Sequence, residues 1–163
     1  MSTLGPMSEL LDALAGVLNA REPLPGLVTG GQPELEHLSA LARAGCEVVV
    51  DTRDPMEPQP FDAPSAVRAT GLEYVNIPVP HSPPDDATVA RVRELLKDRA
   101  RGGGVFVYCN SGNRVGAVLI PYFVLDRGQS EDDAVTKAMQ IGTRDAELVD
   151  GGLDYVRRHR AQG

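Results

Sequence analysis

The stretch VFVYCNSGNRVGAVLIPYFVL, residues 105–125, constrains this chain more than any other. Val105-Phe106-Val107-Tyr108 is a continuous β-branched and aromatic run, the pattern of a strand covered on both faces. Val115 to Asp126 reads as a helix with a kink at Pro121, whose ring removes an N–H and crowds the preceding turn. Between them, Cys109 opens and Arg114 closes a short polar loop. A strand–loop–helix of this kind sets the loop at the carboxyl edge of a sheet, where α/β folds bind ligands. It also aims the free amides and partial positive charge of the helix N-terminus at that spot. Gly112 lets the backbone fold tightly, so that the amides of Asn110, Ser111, Gly112, Asn113 and Arg114 face inward as an anion-binding nest. Arg114 adds a planar fork suited to an oxyanion. Such surroundings favour the thiolate, the reactive form of cysteine, so Cys109 is the candidate nucleophile.

The rest of the chain reads as strands alternating with helices. Ser8 is placed as the cap of a helix within residues 1–22 carrying Leu10, Leu11, Leu14, Val17 and Leu18, stopped by Pro23 and Pro25. Leu27-Val28-Thr29 is a short strand, Glu34–Ala44 a helix ended by Gly45, and Val48-Val49-Val50 a buried strand. Residues 54–64, with four prolines, form an irregular loop before a short helix at about 64–70. Tyr74–Ile77 is the third strand, and a proline-stiffened loop leads to a helix capped by Asp86. Gly102-Gly103-Gly104 is a turn, Ser130 and Asp133 cap a helix to about Met139, and a last helix covers about 146–159. This order implies one α/β domain over residues 1–163: three layers, with a mostly parallel sheet of four to five strands and helices on both faces.

Composition narrows the function classes. A formal net charge of −7 disfavours nucleic acid and anionic lipid as partners. The longest apolar run is interrupted by Gly116 and Pro121 and is too short to span a bilayer, and no signal peptide is evident. Two cysteines, Cys46 and Cys109, without a secretory signal fit a reducing cytoplasm. Cys46 reads as a small core residue. No His, Cys, Asp or Glu spacing suits a metal, and no cofactor is expected. Asp51 and Arg53 end a strand on the same sheet edge as Cys109. They read first as a structural ion pair, with Arg53 as a brace for the loop the alternative. His37 and His159 read as solvated, and Arg144 and Asp145 as marginal to the site.

Over about Val28 to Arg158 the chain resembles the dual-specificity branch of the protein tyrosine phosphatase superfamily. The resemblance is nearest to the bacterial phosphatase-like domain found fused to β-lactamase-like hydrolases. It rests on TGGQPELEHLSALARAGCEVVVDTR, GLEYVNIPVP and YCNSGNR. It implies a protein tyrosine phosphatase-like fold, Cys109 as nucleophile, Arg114 as the phosphate-binding arginine and a cradle of amides from Asn110 to Arg114. The sequence departs from the family pattern at several points. Four residues rather than five separate cysteine and arginine, Tyr108 stands for the usual histidine, and Val115 for the usual Ser or Thr. The family's general acid is expected in the loop after the third strand, where His81 and Asp85 are the candidates.

The loop length C-x-x-G-x-R, with VVVDTRDPMEP, also resembles rhodanese sulfurtransferases. Three functions therefore compete. One is a phosphatase acting on a phosphorylated protein or a small phosphoester through a thiophosphate. The second is a sulfurtransferase taking sulfane sulfur from thiosulfate or glutathione persulfide through a Cys109 persulfide. The third is a non-catalytic anion-binding module. The phosphatase reading explains more of the chain.

Overall fold

The computed structural model describes residues 5–99 and 103–162. Five strands form one sheet: β1 (Arg21–Leu24), β2 (Leu27–Gly30), β3 (Cys46–Asp51), β4 (Glu73–Asn76) and β5 (Gly104–Tyr108), in the order β1-β2-β5-β3-β4. Only β1 runs antiparallel. The helices are α1 (Gly5–Asp12), α2 (Leu35–Arg43), α3 (Ala63–Ala69), α4 (Asp86–Arg99), α5 (Asn113–Pro121), α6 (Glu131–Ile141) and α7 (Ala146–Gln162).

Side chains alternate across β5. Val105 and Val107 enter one core with α4 to α7, whereas Phe106 and Tyr108 enter a second with α1 to α3. Both faces of the sheet are thus covered, which is why β3 and β5 read as unbroken apolar runs. Beyond Pro121 the helix widens into a π-helical turn over Tyr122–Asp126, the local answer to the missing proline N–H.

Several expectations are corrected. Strand β1 was not foreseen; Pro23 lies within it, on a sheet edge where a missing N–H is tolerated. Helix α1 begins at Gly5, not after Ser8, and ends at Asp12. Leu18 is exposed, while Leu10, Leu14 and Val17 are buried. The cap of α4 is Asp85, whose Oδ1 accepts the Thr88 N–H at 2.8 Å, rather than Asp86, which pairs with Arg158 at 2.7 Å. His37 is buried: its Nδ1 accepts the Glu34 N–H at 2.9 Å and its Nε2 meets the Ala15 carbonyl at 2.8 Å. His159 is half-buried and stacks on Tyr155. Gly104 opens β5, and Gly102 lies outside the described residues. Ser130 does cap α6, through the Asp133 N–H at 3.0 Å.

Candidate active site

Register gathers the site. Gly30, Tyr108, Asp51 and Asn76 lie in one row at the ends of the four parallel strands. The segments that follow, Gly31-Gln32, Cys109–Arg114 and Thr52-Arg53, must therefore meet at that edge. Thr52 is sewn to it by its N–H and Oγ1, both donated to the Tyr108 carbonyl at 2.9 and 2.8 Å.

The Cys109–Arg114 loop is held from outside by its carbonyls. The Asn110 carbonyl accepts the Gln32 N–H at 3.2 Å, and that of Ser111 accepts Asn19 Nδ2 at 2.8 Å. The Gly112 carbonyl accepts the Gly116 N–H at 3.1 Å, and that of Asn113 accepts Thr143 Oγ1 at 2.8 Å. These bonds engage four of the loop's carbonyls. The first amides of α5 have no preceding turn to supply them with acceptors. Gly112 sits at φ +95°, and a Cβ there would lie 2.5 Å from the Ile141 carbonyl oxygen. Gly31 is equally confined, because a Cβ would lie 2.6 Å from the Asn110 oxygen.

Cys109 is 1% exposed, and its Sγ accepts the Gly112 N–H at 3.1 Å. Arg114, in the first turn of α5, is 2% exposed. Its Nη1 and Nη2 donate to the Glu57 carboxylate at 2.7 and 3.1 Å, and Nη1 also reaches the Val79 carbonyl at 3.4 Å. A guanidinium has five N–H donors. Among the described residues the Nε–H and one Nη2–H meet no carboxylate or carbonyl, and they form the side-on fork that suits an oxyanion.

Glu57 is the residue that sequence reasoning missed. It lies in the proline-rich loop, and its side chain holds both arginines, with Arg53 Nε at 3.4 Å. The Arg114 hydrogen bonds hold its carboxyl at about 2, well below the usual carboxylate range. A signal existed: two arginines aimed at one buried sheet edge call for a carboxylate. Gln32 and Asn19 were missed as well. Arg53, 3% exposed, donates Nη1 to Gln32 Oε1 and Nη2 to the Pro58 carbonyl. The expected Asp51–Arg53 ion pair is not formed. Asp51 accepts the Arg53 backbone N–H at 2.9 Å and the Tyr74 hydroxyl at 2.7 Å, and the Arg53 guanidinium turns to Glu57. Asn19 is the one non-glycine residue at positive φ among those described, 57°, a conformation asparagine tolerates.

The other candidates sit apart from the cradle. His81 is exposed and makes no hydrogen bond among the described residues. Asp85 is exposed, and its bonds to Thr88 lower its pKa, which favours the form that cannot give up a proton. Arg144 touches the site through its backbone N–H, donated to Asn113 Oδ1 at 2.8 Å, while its guanidinium turns to the Met139 and Thr143 carbonyls. Asp145 Oδ1 accepts the Glu147 N–H at 2.9 Å and caps α7. Tyr108 turns away from the cradle and stacks on Phe106. Cys46 is buried, with its thiol pushed up to about 11 by desolvation. Among the described residues no group of three or more His, Cys, Asp or Glu gathers to hold a metal ion, and no helix is long and apolar enough to cross a membrane.

The mostly parallel five-stranded sheet makes this an α/β protein, and the family its sequence matches places it in the protein tyrosine phosphatase superfamily, dual-specificity branch. The chain belongs to the family described as the DSP-PTPase phosphatase fused to NAD+ kinase, whose model matches residues 19–151. The superfamily is the expected one; the fusion partner in this family's description differs from the one in the domain that the sequence resembled. No curated protein matches the chain. Among solved structures, Tk-PTP in its active form is similar with a TM-score of 0.76 at 20% identity, covering 86% of this chain and 97% of that one. A DUF442 protein from Shewanella putrefaciens CN-32 has a TM-score of 0.73 at 22% identity, covering 89% of this chain and 98% of the other. A variant of P. aeruginosa TpbA, in complex with phosphotyrosine, has a TM-score of 0.69 at 21% identity, covering 90% and 92%. At these identities the likeness is one of fold.

Proposed function

We propose that the protein is a cysteine-dependent phosphatase that hydrolyses phosphate monoesters through a thiophosphate on Cys109. The observation that carries this reading is the cradle itself: four loop carbonyls engaged around a sulfur that already accepts an amide, beside the open edge of a buried guanidinium. The amides and the Nε and Nη2 donors of Arg114 bind the phosphoryl oxygens and hold phosphorus over Sγ. Sulfur attacks, the S–P bond forms, and the P–O bond to the leaving group breaks. The same donors stabilise the charge on the equatorial oxygens in the transition state. Water then attacks phosphorus, the S–P bond breaks, and inorganic phosphate leaves with the thiolate restored.

Neither Asp85, which caps a helix, nor Glu57, which is held ionised, is set to protonate the leaving oxygen. Esters whose alcohol leaves as a stable anion are then favoured, which makes aryl phosphates, phosphotyrosine among them, better substrates than alkyl phosphates. A second reading, sulfur transfer through a Cys109 persulfide, draws on the four-residue Cys–Arg spacing and on Val115.

One paired assay separates the two: p-nitrophenyl phosphate hydrolysis beside thiocyanate formation from thiosulfate and cyanide. Phosphate release that Cys109→Ser abolishes, without thiocyanate, is the expected result. Thiocyanate alone assigns the sulfurtransferase, and silence in both with retained sulfate binding assigns a binding module.

A further inference from the structure

The loop that carries Glu57 also builds a cleft of about 380 Å³, lined in part by Glu57, the carboxylate that pairs with Arg114. Its other walls include the rings of Phe61 and Tyr74, the amides of Gln59 and Asn76, and the Asp62 carboxylate. What these groups offer a ligand is one-sided. Asn76 spends both amide hydrogens on the Asp51 and Arg53 carbonyls at 2.7 and 2.9 Å, so only its oxygen is left for a ligand. Asp62 accepts from the Ser65 N–H and Oγ at 3.4 and 3.2 Å and has lone pairs to spare. No Lys, Arg or His lines the cleft. An aromatic, acceptor-rich wall takes a cation with N–H donors. Tyr74 already does so once, with the Arg68 guanidinium 5.7 Å from its ring centroid.

We propose that this cleft is a specificity subsite for a lysine or arginine side chain flanking the phosphorylated residue of a peptide substrate. The inference rests on the phosphatase reading and adds the substrate class. Between a phosphoryl group on Cys109 and the cleft stand the Arg114 guanidinium and the Glu57 carboxylate, hydrogen-bonded in series. Two contacts of about 3 Å plus the width of both groups exceed the two-carbon arm of an aminoethyl phosphate. The long stem of a basic residue one position along a peptide, about 3.8 Å further by Cα spacing, covers that span. The ion-pair component makes the preference weaken as salt rises.

The test compares two phosphotyrosine peptides that differ only in carrying lysine or norleucine beside the phosphotyrosine, with phosphoethanolamine as the small-molecule arm. Turnover is read as kcat/KM, and binding as calorimetric Kd on Cys109→Ser protein. The lysine peptide is expected to be preferred about tenfold, the scale of one desolvated cation–aromatic contact. Asp62→Asn, which keeps a side-chain oxygen for the helix cap, should bring the ratio toward one. Gln59→Lys, which puts a cation in the cleft, should invert it. Turnover of both peptides at equal efficiency overturns the subsite and leaves the phosphatase intact. A tenfold difference in Kd without turnover of any ester supports the subsite and overturns the phosphatase. Equal Kd values without turnover overturn both. Phosphoethanolamine bound as tightly as the lysine peptide overturns the peptide assignment.

Discussion

Glu57 decides how Arg114 is presented. By taking one hydrogen from each terminal nitrogen, it fixes the guanidinium plane and leaves the Nε–Nη2 edge out of the pair. Glu57→Gln keeps one acceptor and loses the charge and the second bond. A charge-assisted hydrogen bond is worth about 1.5–3 kcal/mol, so kcat/KM for p-nitrophenyl phosphate should fall roughly tenfold to a hundredfold. Steady-state kinetics on correctly folded variant protein is the check. Val115, fully buried after Arg114, offers no hydroxyl to the departing thiolate. Breakdown of the thiophosphate is then expected to be slow, seen as a burst of p-nitrophenol in rapid mixing. Val115→Thr, close in volume, should shrink the burst and raise kcat, at a stability cost of about 1–3 kcal/mol for the buried hydroxyl.

At the scale of elements, α4 separates a structural carboxylate from a chemical one. Asp85→Ala removes its N-cap and should lower the unfolding free energy by about 1 kcal/mol. The alkaline limb of the pH–rate profile should not move, whereas it would be lost with Asp85 if Asp85 were the general acid. The two aspartates also mark how far the sequence could be read. That a helix begins near them was evident; which of two adjacent residues caps it depends on φ and ψ. Parallel strands β3 and β5 were legible because burial on both faces leaves unbroken apolar runs, and the edge strand β4 by its short aromatic and β-branched stretch. Strand β1 was not, because Pro23 reads as a breaker unless its edge position is known. In the candidate site, Cys109 and Arg114 were legible because one loop holds both. Glu57, Gln32 and Asn19 come from distant segments, and only the shared register of Gly30, Asp51 and Tyr108 brings them in. Asn19 tethers the loop from outside. Asn19→Ala frees the Ser111 carbonyl, and vanadate affinity should weaken about fivefold to tenfold, in keeping with one hydrogen bond of roughly 1 kcal/mol.

At the scale of the whole molecule, the Glu57 pair is also a pH-dependent tie between the two sides of the sheet edge. A carboxyl depressed to about 2 contributes stability that is fully present above its ordinary range near 4.5 and lost as pH falls through about 2. Wild type and Glu57→Gln should therefore differ most in denaturant midpoint at neutral pH and converge as pH falls below about 2. The parallel register has one more outcome. Cys46 pairs with Gly104 at the entry of β5, while Cys109 follows its exit. Five residues at about 3.3 Å each put the two sulfurs on the order of 16 Å apart, far beyond disulfide reach. These are the only two cysteines in the chain. If peroxide oxidises Cys109, Cys46 is out of reach as a resolving thiol for the sulfenic acid. Its rescue falls to a small thiol from solution or to a neighbouring amide nitrogen of the loop, in competition with further, irreversible oxidation.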